Sequence, residues 1–193
     1  VLGVTIHTNS PVENLEAFRK NYDAVFMGLG TQKSRLVPIE GVQQPFVLGG
    51  IDFLRSVRSG KQVKVGPRVV VIGGGNVSID VALTALRQGA QTVDLTSLEK
   101  RRDMPASPNE IELAVAEGVQ IHAGWGPVSI DEEGEVIYQF CESVKDASGK
   151  FNPKFNTSRL LKLQADHVIL ATGQGTDLAV LEGSAVENNR GFI

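Results

Sequence analysis

Four β-branched residues in a row, Val69-Val70-Val71-Ile72, run straight into Gly73-Gly74-Gly75-Asn76-Val77-Ser78. No other stretch constrains the fold so tightly. The apolar run predicts a buried parallel strand. Val77, Val81, Leu83, Ala85 and Leu86 predict a helix from about Asn76 to Gln88, ended by Gly89-Ala90. Thr92-Val93-Asp94-Leu95-Thr96 then reads as a second strand. Strand, glycine turn, helix and strand make a βαβ unit, the setting in which a GxGxxG-like turn carries chemical meaning. Gly73 permits the tight turn, Gly74 sits inside it, and Gly75 lets the backbone approach a pyrophosphate at the helix N-terminus. Ser78 replaces the third glycine and is small enough for close helix–strand packing.

Which dinucleotide such a turn selects depends on the end of the second strand. An acid there accepts both ribose hydroxyls and repels a 2′-phosphate. The register puts Ser97 at that end, with Glu99 two residues on and Lys100-Arg101-Arg102 after it. A small polar residue followed by guanidinium groups favours NADP, since arginine grips phosphate through a bidentate fork. Glu99 favours NAD. A solvated basic loop is the plain alternative for Arg101 and Arg102.

Downstream, Ser107-Pro108-Asn109-Glu110 predicts a helix start, with Ser107 as N-cap and Glu110 closing a capping box. That helix is expected to stop at Gly118, before a strand Val119–His122. Val128–Ile130 and Glu135–Cys141 alternate about Asp131-Glu132-Glu133-Gly134 and predict a hairpin. Residues 145–158 read as a mobile loop, and Leu160–Leu163 as a returning strand. Upstream, Gly3–Thr8 reads as a strand, Val12–Lys20 as a helix and Asp23–Gly30 as a buried strand. Asp166–Gly173 has the look of that last run, with an aspartate before an apolar stretch and a glycine after it. Glu187–Ile193 reads as a turn entering a further strand.

Composition narrows the chemistry. A net charge of −3 excludes a broad nucleic-acid-binding surface, and no run approaches the roughly 20 apolar residues of a membrane span. The single cysteine, Cys141, rules out an internal disulfide, a CxxC redox pair and an iron–sulfur site within this sequence. A disulfide-reductase reading fails on that ground. His7, His122 and His167 stand apart, so no metal site is expected, and Cys141 reads as inert. Trp125 is expected to pack under the sheet. No side chain is singled out as a catalytic acid or base. The chain is expected to be soluble and cytoplasmic.

Taken with Met104-Pro105-Ala106, these segments resemble the glutamate synthase small (beta) subunit family, whose relatives include the N-terminal half of dihydropyrimidine dehydrogenase. The carrying stretches are Tyr22–Phe26, Val69–Ala82, Glu99–Glu110, Glu117-Gly118-Val119 and Ala165–Gln174. The family's aromatic-Arg-Arg run is here Ser97-Leu98-Glu99. The resemblance implies a flavoprotein in which a pyridine-nucleotide domain is inserted into an FAD domain. The expected fold is α/β, a Rossmann-like three-layer NAD(P)-binding domain over residues 45–163 with a parallel sheet and an antiparallel hairpin. FAD-domain pieces at 1–44 and 164–193 are expected to flank it. By the same mapping, Gly73, Gly74, Gly75, Asn76 and Val77 hold the nucleotide pyrophosphate, and Ser97, Glu99, Arg101 and Arg102 face its adenosine ribose. Gly28, Gly30 and Thr31, with Thr172, Gly173 and Gln174, border the FAD. The implied activity is hydride transfer from NADPH (or NADH) to FAD and onward to an iron–sulfur domain or large subunit. The glycine-rich FAD βαβ and the closing Gly-Asp segment are not in this sequence. The chain is therefore expected to be a fragment with weak or no FAD binding and no turnover by itself. A module that senses or docks the nucleotide without redox chemistry is the alternative.

Overall fold

A computed structural model describes residues 3–188. They fall into two compact units, a larger one spanning 33–174 and a smaller one built from 3–32 and 175–188. In chain order the helices are α1 (Leu15–Arg19), α2 (Gly50–Arg58), α3 (Asn76–Arg87) and α4 (Pro108–Ala116). The strands are β1 (Lys33–Ser34), β2 (Val47–Gly49), β3 (Arg68–Ile72), β4 (Thr92–Ser97), β5 (Gln120–Ala123), β6 (Trp125–Ile130), β7 (Glu135–Lys145), β8 (Phe151–Gln164), β9 (His167–Leu170) and β10 (Gln174–Gly175).

The larger unit is three-layered. Its central sheet runs β2-β9-β3-β4-β5, and every pairing in it is parallel. The period of two along a strand sends alternate side chains to opposite faces, and β3 shows the result. Val69 and Val71 enter the core on the helical side with Ile79, Val81 and Ala85 of α3 and Phe53 of α2. Val70 and Ile72 enter a second core beneath the antiparallel sheet, with Val136 and Tyr138 of β7. All four are buried, and each fully buried aliphatic contributes about 1.5–3 kcal/mol relative to exposure. Both cores depend on β9, which gives Ile169 to the first and Val168 and Leu170 to the second.

The predicted β3–α3–β4 unit, α4, β5 and the hairpin all form. Several other expectations need correction. Residues 145–158 are not a mobile loop. β8 starts at Phe151 and pairs antiparallel with β7 as far as Gln164, making a three-stranded sheet where a hairpin was expected. Polar Asn152, Lys154 and Asn156 hid this strand, because one side of the outer sheet faces water and tolerates such residues. The boundary drawn at 163/164 cuts the central sheet, since β9 lies between β2 and β3. β2 and α2 were not foreseen. α2 is nevertheless amphipathic, burying Phe53 and packing Leu54 and Val57 on the core.

In the smaller unit only the middle of the expected helix forms, as α1, with Asn14 accepting a hydrogen bond from the Ala17 N–H at 2.8 Å. The strands expected at Gly3–Thr8 and Asp23–Gly30 are irregular and mostly exposed, Phe26 at 96%. A strand requires a neighbour for its N–H and C=O groups, and no regular strand pairs with either run among the described residues. The likeness between the two glycine-ended runs is therefore one of sequence, for only the second is a strand. The strand expected toward residue 193 lies outside the described residues.

Arg68, at the start of β3, is clamped by Asp166 just before β9. Its Nη2 donates to Oδ1 at 2.6 Å, and its Nε and backbone N–H donate to Oδ2 at 3.1 and 2.8 Å. The side-chain bonds from Arg68 hold the Asp166 carboxyl below the usual carboxylate range. A carboxyl depressed in the folded state stabilises above its unfolded pKa, and that contribution disappears as pH falls through the folded value. Asp166→Asn should therefore lower the urea midpoint near neutral pH, and the gap from the parent should close in acid. A gap that persists in acid would mean that the effect is not ionic.

Candidate dinucleotide-binding site

Where β3, β4 and β9 end, at the carboxyl edge of the sheet, the larger unit opens a cavity of about 450 Å³. Its centre is the glycine turn. The Gly73 N–H donates to the Thr96 carbonyl at 2.9 Å, fastening the turn to the end of β4. Gly73 has φ +149°, and a Cβ there would collide with the Ala171 carbonyl. Turn and β9 are thus packed backbone to backbone, with the buried Ser78 side chain beside them. Gly75 differs. It is the N-cap of α3 and supplies no side-chain cap to the first-turn N–H groups, and a Cβ on it would meet nothing within 4 Å. An uncapped helix start beside open space suits an anion, since the N–H groups and the helix dipole both face it. The pyrophosphate of a dinucleotide fits this cradle.

The loop after β4 is laced to the turn. The Ala106 N–H donates to the Gly74 carbonyl at 3.0 Å, and the Ser107 N–H donates to Asn76 Oδ1 at 2.8 Å. The second bond corrects the expected capping box. Ser107 Oγ accepts from the Glu110 N–H at 3.4 Å, as an N-cap should. Its own N–H, however, is taken by Asn76, and Glu110 Oε2 is buried without a hydrogen-bond partner. Asn76 thereby joins the start of α3 to the start of α4.

Around this cavity the structure gathers Gly73, Gly74, Gly75, Asn76 and Val77 on one side and Thr172, Gly173 and Gln174 at the end of β9. Glu99 lines it as well. Ser97 is buried behind Glu99: its hydroxyl donates to Glu99 Oε2 at 2.7 Å, and the Glu99 N–H donates back to Ser97 Oγ at 3.2 Å. Ser97 therefore orients Glu99 and does not itself line the cavity. Arg101 and Arg102 do not line the cavity. They occupy an exposed 3-10 turn, where Arg102 Nε lies 3.5 Å from Asp103 Oδ2. Thr172 donates its hydroxyl to the Arg35 carbonyl, and the Arg35 N–H donates to the Gly173 carbonyl, both at 3.1 Å, where the chain enters and leaves this unit. Gly28, Gly30 and Thr31 belong to the smaller unit, in irregular and exposed chain.

Two aromatic residues of the cavity wall were missed. Trp125 packs under the sheet as expected, on the core shared with Ile72 and Leu170, but it is only half-buried and also lines the cavity, as does Phe151. The available signal was Gly124-Trp125-Gly126-Pro127, an aromatic ring between glycines at the start of a strand. A second cavity of about 530 Å³ adjoins the first, sharing Leu98, Glu99 and Pro105 and reaching Cys141–Lys145. Cys141 is buried and donates to the Ser143 carbonyl at 3.4 Å; burial and the nearby Glu99 push its thiol pKa up. A thiol so placed is a poor nucleophile. His122 and His167 are both satisfied, His122 Nε2 lying 2.6 Å from Asp94 Oδ1 and His167 Nδ1 accepting from the Gly66 N–H at 3.0 Å. Among the described residues no group of His, Cys, Asp or Glu could hold a metal, and no helix is long and apolar enough to cross a membrane.

The chain is 36% identical over 177 residues to the NADPH-Fe(3+) oxidoreductase subunit beta of Geobacter sulfurreducens, covering 87% of this chain and 26% of that protein. It is 28% identical over 192 residues to the glutamate synthase [NADPH] small chain of Azospirillum brasilense, covering 89% and 39%. It thus spans between a quarter and two-fifths of the length of these relatives. Among solved structures, Mycobacterium tuberculosis FprA in complex with NADPH shares the fold with a TM-score of 0.67 at 20% identity, over 86% of this chain and 54% of that one. A family model matches residues 3–193, and the chain belongs to the pyridine nucleotide-disulphide oxidoreductase family.

Proposed function

We propose that this chain carries the NAD(P)H-binding site of a flavin-dependent oxidoreductase of the glutamate synthase small-subunit type. The observation behind this reading is the bare start of α3 at Gly75, open to the same cavity that Thr172, Gly173 and Gln174 line from β9. When bound, the nicotinamide would supply a hydride for a flavin to accept, for passage to an iron–sulfur partner. The chain's part is to bind and orient. First-turn N–H groups of α3 hold the pyrophosphate, and Glu99, oriented by Ser97, sets the adenosine side. Glu99 is the one carboxylate among the described lining residues, and no histidine joins it. Residues 1–32 and 175–188, with Gly28, Gly30 and Thr31, are proposed as the flavin domain's share.

Both relatives described above are named for NADPH. For this chain we propose NADPH, with Arg101 and Arg102 reaching the 2′-phosphate at the rim and Glu99 opposing it. Glu99→Gln should then raise the preference for NADPH over NADH by roughly tenfold, and Arg102→Ala should lower it by a similar factor. Calorimetric titration of both nucleotides reads the ratio. A ratio untouched by either variant rejects this assignment of the ribose side. The redox role is tested separately, by following NADPH-driven dye reduction in the parent protein loaded with FAD. Flavin bound without turnover favours the sensing module.

A further inference from the structure

Resting on the nucleotide reading above, we propose that the second cavity receives the adenosine end of the dinucleotide, and that Lys145, at the tip of the β7–β8 hairpin, selects NADPH by gripping its 2′-phosphate. The outer antiparallel sheet then helps to recognise the cofactor that the parallel sheet cradles. Glu99 lines both cavities. Its Oε2 would lie 2.9 Å from a Cβ on Gly74, so the acid stands directly beside the glycine turn. A ribose held by Glu99 therefore sits where the two cavities join, with the pyrophosphate in the first and the base directed into the second. The backbone ties β7 to this junction. The Gly124 N–H donates to the Ser97 and Glu99 carbonyls at 2.8 Å, and the Gly124 carbonyl accepts from the Cys141 N–H at 2.8 Å. At the far end of β7, Lys145 pairs with Phe151 across the hairpin. Lys145 lines the second cavity and Phe151 the first, so the pair straddles the same junction as Glu99.

The lining of the second cavity suits this end of the ligand. Leu98 and Pro105 from the loop after β4 and Val144 from β7 give it apolar walls for a flat base. Its three carboxylates all have partners within the fold. Glu99 accepts from the Ser97 hydroxyl, Asp103 lies 3.5 Å from Arg102 Nε, and Glu142 Oε1 accepts from Asn156 Nδ2 at 3.1 Å. The ammonium groups of Lys100 and Lys145 have no hydrogen-bond or ion-pair partner among the described residues. One comes from the loop after β4 and the other from the hairpin, so an anion between them meets a cation from each layer. Arg101 and Arg102 line neither cavity. The β7–β8 ladder also changes register between Cys141 and Ser143 and again between Ser143 and Lys145. Such bulges re-aim side chains and gather next to binding and active sites; here they fall in the segment that lines the cavity.

NADPH and NADH differ only by the 2′-phosphate, so comparing them isolates its contacts. In calorimetric titrations of the full chain, Lys145→Ala should weaken NADPH by roughly tenfold and change NADH by less than about twofold. Lys145→Arg should restore NADPH to within about threefold of the parent, since a guanidinium also grips phosphate. Amide NMR spectra of the parent chain, saturated with each nucleotide in turn, give a second readout. The difference between the two spectra should be largest at Lys100 and at residues 143–145. NADPH binding that Lys145→Ala leaves intact, equal loss for both nucleotides, or a spectral difference that spares residues 143–145 overturns the inference while the nucleotide reading stands. Should Lys145→Ala fail to fold, the spectra of the parent chain still decide. A parent chain that binds neither nucleotide overturns both.

Discussion

Replacing Gly75 with alanine should leave folding stability almost unchanged and cost the chain at least about tenfold in dinucleotide affinity. The two halves of this result have separate causes. For stability, the Gly75 backbone is extended, at φ −94° and ψ 175°, and a Cβ there meets no atom within 4 Å. Alanine is a poorer N-cap than glycine but loses less chain entropy on folding. These effects oppose each other at roughly 0.5–1 kcal/mol apiece. For binding, the space that a Cβ would fill is where an anion must approach the first-turn N–H groups of α3. Gly73→Ala provides the contrast. Its Cβ would strike the Ala171 carbonyl, so β3 and β9 must part, and a loss of about 2–4 kcal/mol should appear as a lower melting point. Thermal melts beside NADPH titrations separate the two cases. A Gly75→Ala chain that binds normally would remove the pyrophosphate from the turn.

This contrast shows which parts of the molecule sequence reasoning reached. β3, α3 and β4 were foreseen because their signals are local: a β-branched run, a 3.6-residue period, and glycines where the backbone bends. Their place at the carboxyl edge of a parallel sheet follows from the same unit. What depended on partners distant in the chain was missed. Asp23–Gly30 and Asp166–Gly173 read alike, yet only the second has β2 and β3 on either side to satisfy its backbone. β8 contains polar residues because one side of the outer sheet faces water. Trp125 reaches the cavity only because β6 folds back beneath the central sheet after Gly124, and no period within β6 encodes that reversal. Spacing alone brings Glu99 close to the end of β4, but the 2.7 Å bond from Ser97 that orients it depends on a side-chain direction unavailable from spacing.

The second large effect concerns where this fold can be cut. A chain of residues 33–174 should fold cooperatively, whereas one of residues 45–163, the span the sequence pattern outlines, should not. The shorter span lacks β9, which pairs with β2 through Val47–Val168 and Gly49–Leu170 and with β3 through Val69–His167 and Ile72–Leu170. Without it β2 loses its partner in the central sheet, and the backbone groups of β3 facing β9 are unpaired. Val168, Ile169 and Leu170 are fully or almost fully buried. At about 1.5–3 kcal/mol each, their removal alone forfeits roughly 5–9 kcal/mol. The whole stability of a domain is about 5–15 kcal/mol. The Arg68–Asp166 clamp and the Ala171 carbonyl that seats Gly73 go with them, so the nucleotide turn loses its footing with the fold. Near-ultraviolet circular dichroism and urea unfolding of the two spans test this directly. A cooperative transition in 45–163 would mean that β9 is dispensable to the sheet, and the flanking segment would then begin before it. A cooperative transition confined to 33–174, with NADPH raising its urea midpoint, would place the whole nucleotide site within that unit.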